Sequence, residues 1–226
     1  MIGVIGAMDI EVDLIKQALD DSYVEKVGPY EYILGKINNK PCVLCKCSIG
    51  KVNAAACTQT MILKYKPSFI INTGVAGAIA ENINIFDFVI ASGVVQHDID
   101  TTCFGDPLGF ISGLDIVNIP CNNNLINKIF SINTNFTLHK GIIASGDQFI
   151  CDFSQLQRIK ENFGACACEM EGGSIGQVCY LNNTDFLVVR CISDNANSTS
   201  SVDYNEFKKV AADNSSKLII DLISIV

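Results

Sequence analysis

The stretch from residue 1 to residue 19, MIGVIGAMDIEVDLIKQAL, predicts a strand, a tight turn and a helix in that order. Residues 2–5 are a short apolar run that ends at Gly6-Ala7. From Asp9 onward the apolar side chains recur at helical spacing, at Ile10, Leu14, Ile15 and Leu19. The chain therefore opens with the first half of a βα unit.

The same alternation continues along the chain. Residues 30–37 and 41–46 predict two antiparallel strands, and buried strands are predicted near 69–71, 88–95, 138–144 and 186–192. Helices are predicted near 52–65, 124–131, 154–162 and 172–180, and a last helix carries an apolar stripe from Phe207 to Val226. Segments 72–77 and 98–113 are interpreted as loops. The pattern predicts one α/β domain over residues 1–226, with three layers and a mixed, mainly parallel central sheet flanked by helices.

Composition narrows the class of protein. Of 226 residues, 49% are hydrophobic and 18% are charged, which is typical of a globular chain. The net charge is -8 and the 16 Lys and Arg residues are scattered, which argues against nucleic acid or an anionic membrane as a partner. No basic leader precedes Asp9 and Glu11, and no apolar run reaches about 18 residues. We therefore expect a cytoplasmic protein.

The eleven cysteines are better explained as reduced, apolar-behaving thiols than as a disulfide framework, because their number is odd and the chain is not small. Cys45-x-Cys47 and Cys166-x-Cys168 raise the alternative of a metal site. Their spacing differs from the paired C-x2-C of zinc sites, and His97 and His139 are distant in sequence. We expect no metal and no cofactor.

Polar and glycine-rich segments follow the predicted strands at 6–11, 74–77, 145–147 and 193–194. Ligands of open α/β sheets bind at the carboxyl ends of strands, so these segments predict a shared site. Each taken alone is equally consistent with a structural turn. Gly3-x-x-Gly6 does not match G-x-G-x-x-G, which disfavours a dinucleotide site.

Six segments then give the chain a specific resemblance over nearly its whole length. They are IGAMDIE (5–11), SIGKVNAA (48–55), INTGVAG (71–77), SGDQFI (145–150), EMEG (169–172) and RCISDNA (190–196). In order and spacing the chain resembles the 5'-methylthioadenosine/S-adenosylhomocysteine nucleosidases. The resemblance implies a nucleoside-phosphorylase-like fold, a homodimer, and cleavage of adenine from thio-nucleosides by water without metal or cofactor.

The resemblance implies two catalytic residues. Glu11 is similar to the family's general base, which activates the attacking water, and Asp194 is similar to the general acid, which protonates N7 of adenine. Because an Asp has an ordinary pKa of roughly 4, the site would have to raise the pKa of Asp194. The structural alternatives are an exposed carboxylate in the first turn of a helix for Glu11 and a turn or N-cap residue for Asp194.

Three further polar residues are implied near the sugar. Glu171 resembles the carboxylate that accepts hydrogen bonds from both ribose hydroxyls, and such contacts strengthen as positive charge develops on the ring. Glu169 is interpreted either as a supporting residue or as a solvated one. Arg190 resembles a partner near Glu11 and the water, with a structural ion pair as the alternative.

The remaining expected contacts are apolar or come from the backbone. The resemblance implies that Phe149 stacks on adenine and that Ile150 offers backbone groups to its edge. Ala76, Gly77 and Ser193 are expected to contact the substrate as well. The pocket for the 5'-alkylthio tail is expected to contain Met8, Ile49, Phe104, Met170 and Tyr204. Taken alone, each of these five would be assigned to core packing.

Two other functions are weighed against hydrolysis. A nucleoside phosphorylase of the same superfamily would need Arg and Ser contacts for phosphate, whereas this chain has Glu11 and Val75 in the corresponding loops. Val75 stands where some family members carry serine, a hydroxyl that could help to hold the water. A nucleoside-binding sensor without turnover would not need Glu11, Glu171 and Asp194 together. We also expect the segment 98–113 to lie near a partner's active site in a homodimer.

Overall fold

The computed structural model describes residues 1–196 and 200–226. Its strands are β1 (Ile2–Gly6), β2 (Asp20–Val27), β3 (Tyr30–Ile37), β4 (Lys40–Lys46), β5 (Phe69–Ala78), β6 (Phe88–Gln96), β7 (Ile119–Pro120), β8 (Leu138–Ser145), β9 (Ala165–Glu169) and β10 (Asp185–Asp194). Its α-helices are α1 (Asp9–Gln17), α2 (Lys51–Tyr65), α3 (Asn123–Phe130), α4 (Phe153–Phe163), α5 (Gly172–Leu181) and α6 (Ser200–Ile225).

The strands form one mixed sheet. The order β2-β3-β4-β1-β5-β10-β6-β8 runs across it, and β9 pairs with both β8 and β5, so that five of the strands close into a circuit. The pairs β4-β1, β1-β5 and β5-β10 are parallel, whereas β2-β3 and β3-β4 are antiparallel. The predicted mixed α/β architecture and its antiparallel hairpin are confirmed. The expectation of a mainly parallel sheet is wrong, because five of the described strand pairings are parallel and five are antiparallel.

Helices cover both faces of the sheet. A Cβ added at Gly3 would meet the side chain of Met61 on α2, and one added at Gly6 would meet Val12 on α1. Positions 3 and 6 of a strand point to opposite faces, so α1 and α2 lie on opposite sides of β1. Helix α6 packs with α1, and α5 packs with α2. The sheet is thus the middle of three layers, and its central strands β1, β5 and β10 are buried on both faces.

Local side chains set where several helices begin and end. The Asp152 carboxylate accepts hydrogen bonds from the N–H groups of Ser154 and Gln155 at the start of α4, and Gly164 ends that helix in the left-handed region at φ +60°. Asn122 caps α3 in the same way. Among residues 1–196 and 200–226, no helix is long and apolar enough to cross a membrane.

Two sequence-based predictions need correction. Segment 72–77 was predicted to be a loop, but β5 continues through it to Ala78 because its backbone pairs with β10 on one side and β9 on the other. Strand β2 was not predicted. It is a mostly exposed edge strand with the polar sequence DDSYVEKV, so it lacks the apolar run that marks a buried strand. Within segment 98–113 the regular structure is one 3₁₀ turn, Thr102–Phe104.

Candidate active site

A cavity of about 330 Å³ lies at the carboxyl ends of β1, β5, β8 and β10. This volume falls within the range of about 300–1,000 Å³ that is typical of ligand pockets. All but two of the predicted site residues line it: Met8, Glu11, Ile49, Ala76, Gly77, Phe149, Ile150, Met170, Glu171, Ser193, Asp194 and Tyr204. The two exceptions are Arg190 and Phe104. The structure therefore brings together residues from the whole length of the chain.

Glu11 lies in the first turn of α1 and is buried rather than exposed. Its Oε2 accepts hydrogen bonds from the N–H groups of Ala7 (2.8 Å) and Met8 (2.9 Å), and its Oε1 accepts one from Val75 N–H (3.0 Å). Burial raises the pKa of Glu11, although the Arg190 guanidinium and the three backbone donors favour the ionised form. A fixed carboxylate with a raised pKa is a stronger base than a solvated one.

The β5 backbone makes room for this carboxylate. A Cβ added at Gly74 would lie 2.5 Å from Oε1 of Glu11, and one added at Gly77 would lie 2.8 Å from Oδ1 of Asp194. Real Cβ atoms essentially never approach other atoms this closely. The two glycines therefore let the strand pass directly against both predicted catalytic residues.

Asp194 is the last residue of β10 and is 3% exposed. Its Oδ1 accepts a hydrogen bond from Ala196 N–H (2.9 Å) and its Oδ2 one from the Ser193 hydroxyl (2.9 Å). The Ser193 hydroxyl also lies 3.4 Å from the Ala76 carbonyl. These contacts fix the orientation of a carboxyl group that borders the cavity.

Glu171 stands at the N-terminus of α5, where its Oε1 accepts a hydrogen bond from Gly50 N–H (2.9 Å). Its Oε2 is 3.8 Å from Nη2 of Arg190. Burial and the neighbouring Glu169 carboxylate raise the pKa of Glu171 to about 8. The group can therefore exchange a proton near neutral pH.

Glu169 is buried and belongs to a dense polar network, which settles the choice between a supporting and a solvated residue. It accepts hydrogen bonds from the N–H groups of Glu171 (3.0 Å) and Gly172 (2.8 Å) and from the Ser145 hydroxyl, and it pairs with Arg190. Burial opposes its ionisation, but the Arg190 guanidinium, Ser145 and Gly172 outweigh it and lower the pKa of Glu169.

Arg190 combines the two roles considered for it. It is 1% exposed, forms the buried ion pair with Glu169, and donates to Oδ1 of Asn72 (2.6 Å). A Cβ added at Gly74 would lie 3.3 Å from its Nη1 and 3.0 Å from the Glu11 carboxyl carbon, so the guanidinium also lies beside Glu11. Arg190 stands behind the cavity wall and acts on the carboxylates electrostatically.

We call the buried polar end of the cavity the floor; it comprises Glu11, Glu169, Glu171 and Asp194, and Arg190 lies behind it. We call the opposite, outer end the mouth; it comprises Met8, Ile49, Phe149 and Tyr204. At the mouth the rings of Phe149 and Tyr204 pack edge to face at 5.5 Å. The Tyr204 hydroxyl donates to the Met8 sulfur (3.2 Å).

Phe104 lies on the exposed 3₁₀ turn and is 84% exposed. It does not border the described walls of this cavity. Its assignment to the alkylthio pocket stays a prediction that involves a second copy of the chain.

Sequence reasoning missed several participants. Gly50 donates a hydrogen bond to Glu171, and Ser145 donates one to Glu169. Asn72 accepts a hydrogen bond from Arg190 and orients it. Gln148 and Cys168 line the cavity. Gly50, Ser145 and Asn72 fall inside the quoted motifs, so their positions were a usable signal. Their partners are up to 121 residues away in sequence, which no local pattern reveals.

Within residues 1–196 and 200–226, no three His, Cys, Asp or Glu side chains are placed to hold a metal ion. All eleven cysteines are free thiols, and Cys45, Cys47 and Cys168 are buried. The cavity thus offers carboxyl groups, backbone donors and apolar surface as its chemical resources.

The chain is similar to known proteins over nearly its whole length. The sequence model of the Phosphorylase superfamily matches residues 1–224. The chain is 38% identical to a 5'-methylthioadenosine/S-adenosylhomocysteine nucleosidase of Staphylococcus haemolyticus, with all of both chains covered.

Two solved structures are similar over the whole chain. One is the nucleosidase of the same name from Neisseria meningitidis in complex with methylthio-immucillin-A, with a TM-score of 0.95, 30% identity, and 100% of this chain and 99% of that chain covered. The other is futalosine hydrolase of Helicobacter pylori, with a TM-score of 0.96, 30% identity, and coverage of 100% and 97%.

Proposed function

The chain belongs to the Phosphorylase superfamily and, within it, to the 5'-methylthioadenosine/S-adenosylhomocysteine nucleosidases, and on that premise we propose how its own residues carry out the reaction. It is a hydrolase of the N-glycosidic bond of these two nucleosides, and its products are adenine and the 5-thioribose sugar. The observation that carries the mechanism is that the Glu11 and Asp194 carboxyl groups border one cavity, each buried and each held by backbone donors.

Glu11 is the general base. A water molecule attacks the anomeric carbon and gives a proton to the Glu11 carboxylate as the new C–O bond forms. The raised pKa of Glu11 supports this role, because a base is most effective when its pKa approaches the working pH. The fixed N–H donors of Ala7, Met8 and Val75 keep the carboxylate in one orientation.

Asp194 is the general acid. As the bond between the anomeric carbon and N9 breaks, its electron pair moves onto the purine, and Asp194 gives its proton to N7 so that adenine leaves as a neutral molecule. The hydroxyl of Ser193 and the N–H of Ala196 hold the acid in place. One proton is taken up by Glu11 and one is given up by Asp194, so exchange with solvent restores the resting state.

Glu171 accepts the two ribose hydroxyls. Its Oε1 is held by Gly50 N–H and its Oε2 faces Arg190 at 3.8 Å, which leaves acceptor capacity for a diol. A carboxylate beside the sugar also stabilises the positive charge that develops on the ring in the transition state. The remaining expected contacts are Phe149 against the adenine face, the Ile150 backbone at its edge, and Met170, Ala76 and Gly77 along the wall.

We further propose that the active form is a cytoplasmic homodimer in which Phe104 contributes to the partner's alkylthio pocket. The 84% exposure of Phe104 and the exposed Val52 and Phe153 support an interface. Eleven free thiols suit a reducing compartment. Sedimentation at micromolar protein concentration tests the assembly: a dimer is expected, and a monomer alone would overturn it.

Phosphate dependence separates hydrolysis from phosphorolysis. The wall beside the anomeric carbon presents the Glu11 carboxylate and the Val75 side chain, which would meet a phosphate dianion with a like charge and an apolar surface. Purified protein should release adenine and the free sugar fully in phosphate-free buffer, with no gain when phosphate is added. A saturable increase with phosphate, together with a sugar 1-phosphate product, would replace the hydrolase by a phosphorylase.

A further inference from the structure

Lys208 lies on α6 one helical turn after Tyr204, which is one of the residues at the mouth of the cavity. Its ammonium nitrogen is 4.8 Å from the centroid of the Tyr204 ring and 3.1 Å from Oδ1 of Asn205. Tyr204 lines the cavity and contacts Met8 and Phe149. A single aromatic ring therefore lies between this cation and the predicted pocket for the 5'-substituent.

Two lysines close in sequence to the cavity residue Ile49 are neutralised by carboxylates. Lys46 pairs with Asp9 at 2.8 Å and Lys51 pairs with Asp98 at 2.6 Å. For Lys208, by contrast, no carboxylate lies within ion-pair distance in the described part of the chain, and its contacts there are an amide oxygen and a ring face. Cations held in this way remain able to bind an anionic group.

The charge of the floor makes such a cation useful. The Glu11 carboxylate borders the cavity, and the buried guanidinium of Arg190 is already paired with Glu169. The whole chain carries a net charge of -8. The carboxylate end of a zwitterionic 5'-tail, unlike its ammonium end, is disfavoured by this negative charge unless a cation at the mouth receives it.

We infer that Lys208, with Asn205 beside it, is a subsite for the carboxylate of an amino-acid tail on the 5'-sulfur, and that it favours S-adenosylhomocysteine over the same nucleoside without that tail. The inference rests on the proposed function. The uncharged methylthio group of 5'-methylthioadenosine ends among Met8, Ile49 and Tyr204 and gains nothing from the ammonium. The longer zwitterionic tail extends past the Tyr204 ring. Its carboxylate then replaces the Asn205 side-chain oxygen as the partner of the Lys208 ammonium.

The test compares KM for the two nucleosides in Lys208→Ala. We expect KM for S-adenosylhomocysteine to rise by about fivefold, the size of a partly exposed ion pair, with KM for 5'-methylthioadenosine within about twofold of wild type. Lys208→Arg should retain most of the preference. Added salt should raise KM for S-adenosylhomocysteine in the wild type and have less effect in Lys208→Ala, because the ion pair is screened.

Lys209→Ala is the matched control. Lys209 is the next residue on α6, and its ammonium forms an ion pair with the Asp213 carboxylate at 2.6 Å. It should change neither KM. Equal losses for both nucleosides in Lys208→Ala, or no loss for either, would overturn the subsite. An analogue with the tail carboxylate converted to an amide should bind wild type and Lys208→Ala alike.

Failure of the proposed function gives a different result. If wild-type protein releases adenine from neither nucleoside, the hydrolase assignment fails. Calorimetric binding of S-adenosylhomocysteine and of 5'-methylthioadenosine to wild type, Lys208→Ala and Lys209→Ala still measures the subsite directly. Selective weakening of the tailed nucleoside by Lys208→Ala supports the subsite, and its absence contradicts it.

Discussion

At the floor of the cavity Glu11, Glu171 and Asp194 are at most 6% exposed, whereas at its mouth Ile49 and Phe149 are 50% and 43% exposed. Floor side chains are held by backbone N–H groups of strand ends and helix starts, while mouth side chains are held by one another. Groups fixed in a buried, polar site can stabilise a transition state strongly, whereas half-exposed apolar contacts contribute modest binding. Substitutions at the floor should therefore affect turnover, and those at the mouth should affect KM.

The largest effect is expected from removing the proton-transfer groups of the floor. Glu11→Gln and Asp194→Asn keep the shape of each side chain but cannot perform its acid or base step, so kcat should fall by about 100- to 10,000-fold. Adenine release measures kcat, and thermal unfolding checks that each variant remains folded. The matched controls are Glu31→Gln and Asp185→Asn, both exposed, and they should be near wild type. Turnover near wild type in either floor variant would reject the role of that residue.

A smaller effect is expected from displacing Glu11 without removing it. In Gly74→Ala the new Cβ would lie 2.5 Å from Oε1 of Glu11, so the carboxylate or the strand must move. A displacement of about 1 Å at a catalytic group can cost roughly 100-fold in rate, and we expect a fall in kcat of that order.

Gly28→Ala controls for backbone strain, because Gly28 has φ +59° and nothing would lie within 4 Å of its added Cβ. It should lower the melting temperature slightly and leave kcat unchanged. If Gly74→Ala is as active as Gly28→Ala, the close passage of β5 past Glu11 has no catalytic importance.

The pH dependence of substrate binding should report the ionisation state of Glu171. With a pKa of about 8, this carboxyl group is mainly protonated at pH 7 and mainly ionised at pH 9. Only the ionised form can accept both ribose hydroxyls while Gly50 N–H keeps its bond, so binding should tighten as the pH rises, by about tenfold over these two units.

The dissociation constant of 5'-methylthioadenosine can be measured by calorimetry in Asp194→Asn, where turnover does not interfere. In the double variant Asp194→Asn with Glu171→Gln, binding of 5'-methylthioadenosine should be weak and should no longer depend on pH. A pH dependence that survives this second substitution would assign the titration to another group.

The smallest effect is expected at the mouth. Phe149→Leu removes the aromatic face but keeps apolar volume, and we expect KM to rise by about three- to tenfold with kcat nearly unchanged, as for the loss of one aromatic contact. Phe130→Leu is the matched control, since Phe130 is 41% exposed, close to the 43% of Phe149, but does not line this cavity. A fall in kcat comparable to that of Glu11→Gln would remove the distinction between mouth and floor.

Much of the fold could be predicted because its signals are local. The apolar runs predicted the buried strands β1, β6, β8 and β10 to within a few residues, and the helical spacing of apolar residues predicted α1 and the apolar stripe of α6. The edge strand β2 was not predicted because its sequence DDSYVEKV is polar. The strand at 72–77 was not predicted because glycines normally indicate a loop. Pairing with β10 and β9 overrides that local preference.

The sequence by itself, through the family that its motifs resemble, indicated twelve of the residues that line the cavity, but not others such as Gln148 and Cys168. Only the tertiary structure decided their electrostatics. Glu169 and Glu171 are two residues apart and chemically identical, yet the pKa of Glu169 is lowered and that of Glu171 is raised to about 8. The difference arises because Arg190, Ser145 and the start of α5 all contact Glu169, whereas Glu171 is left 3.8 Å from the guanidinium and beside a like charge. Charge interactions depend on distance and burial in space, and sequence separation specifies neither.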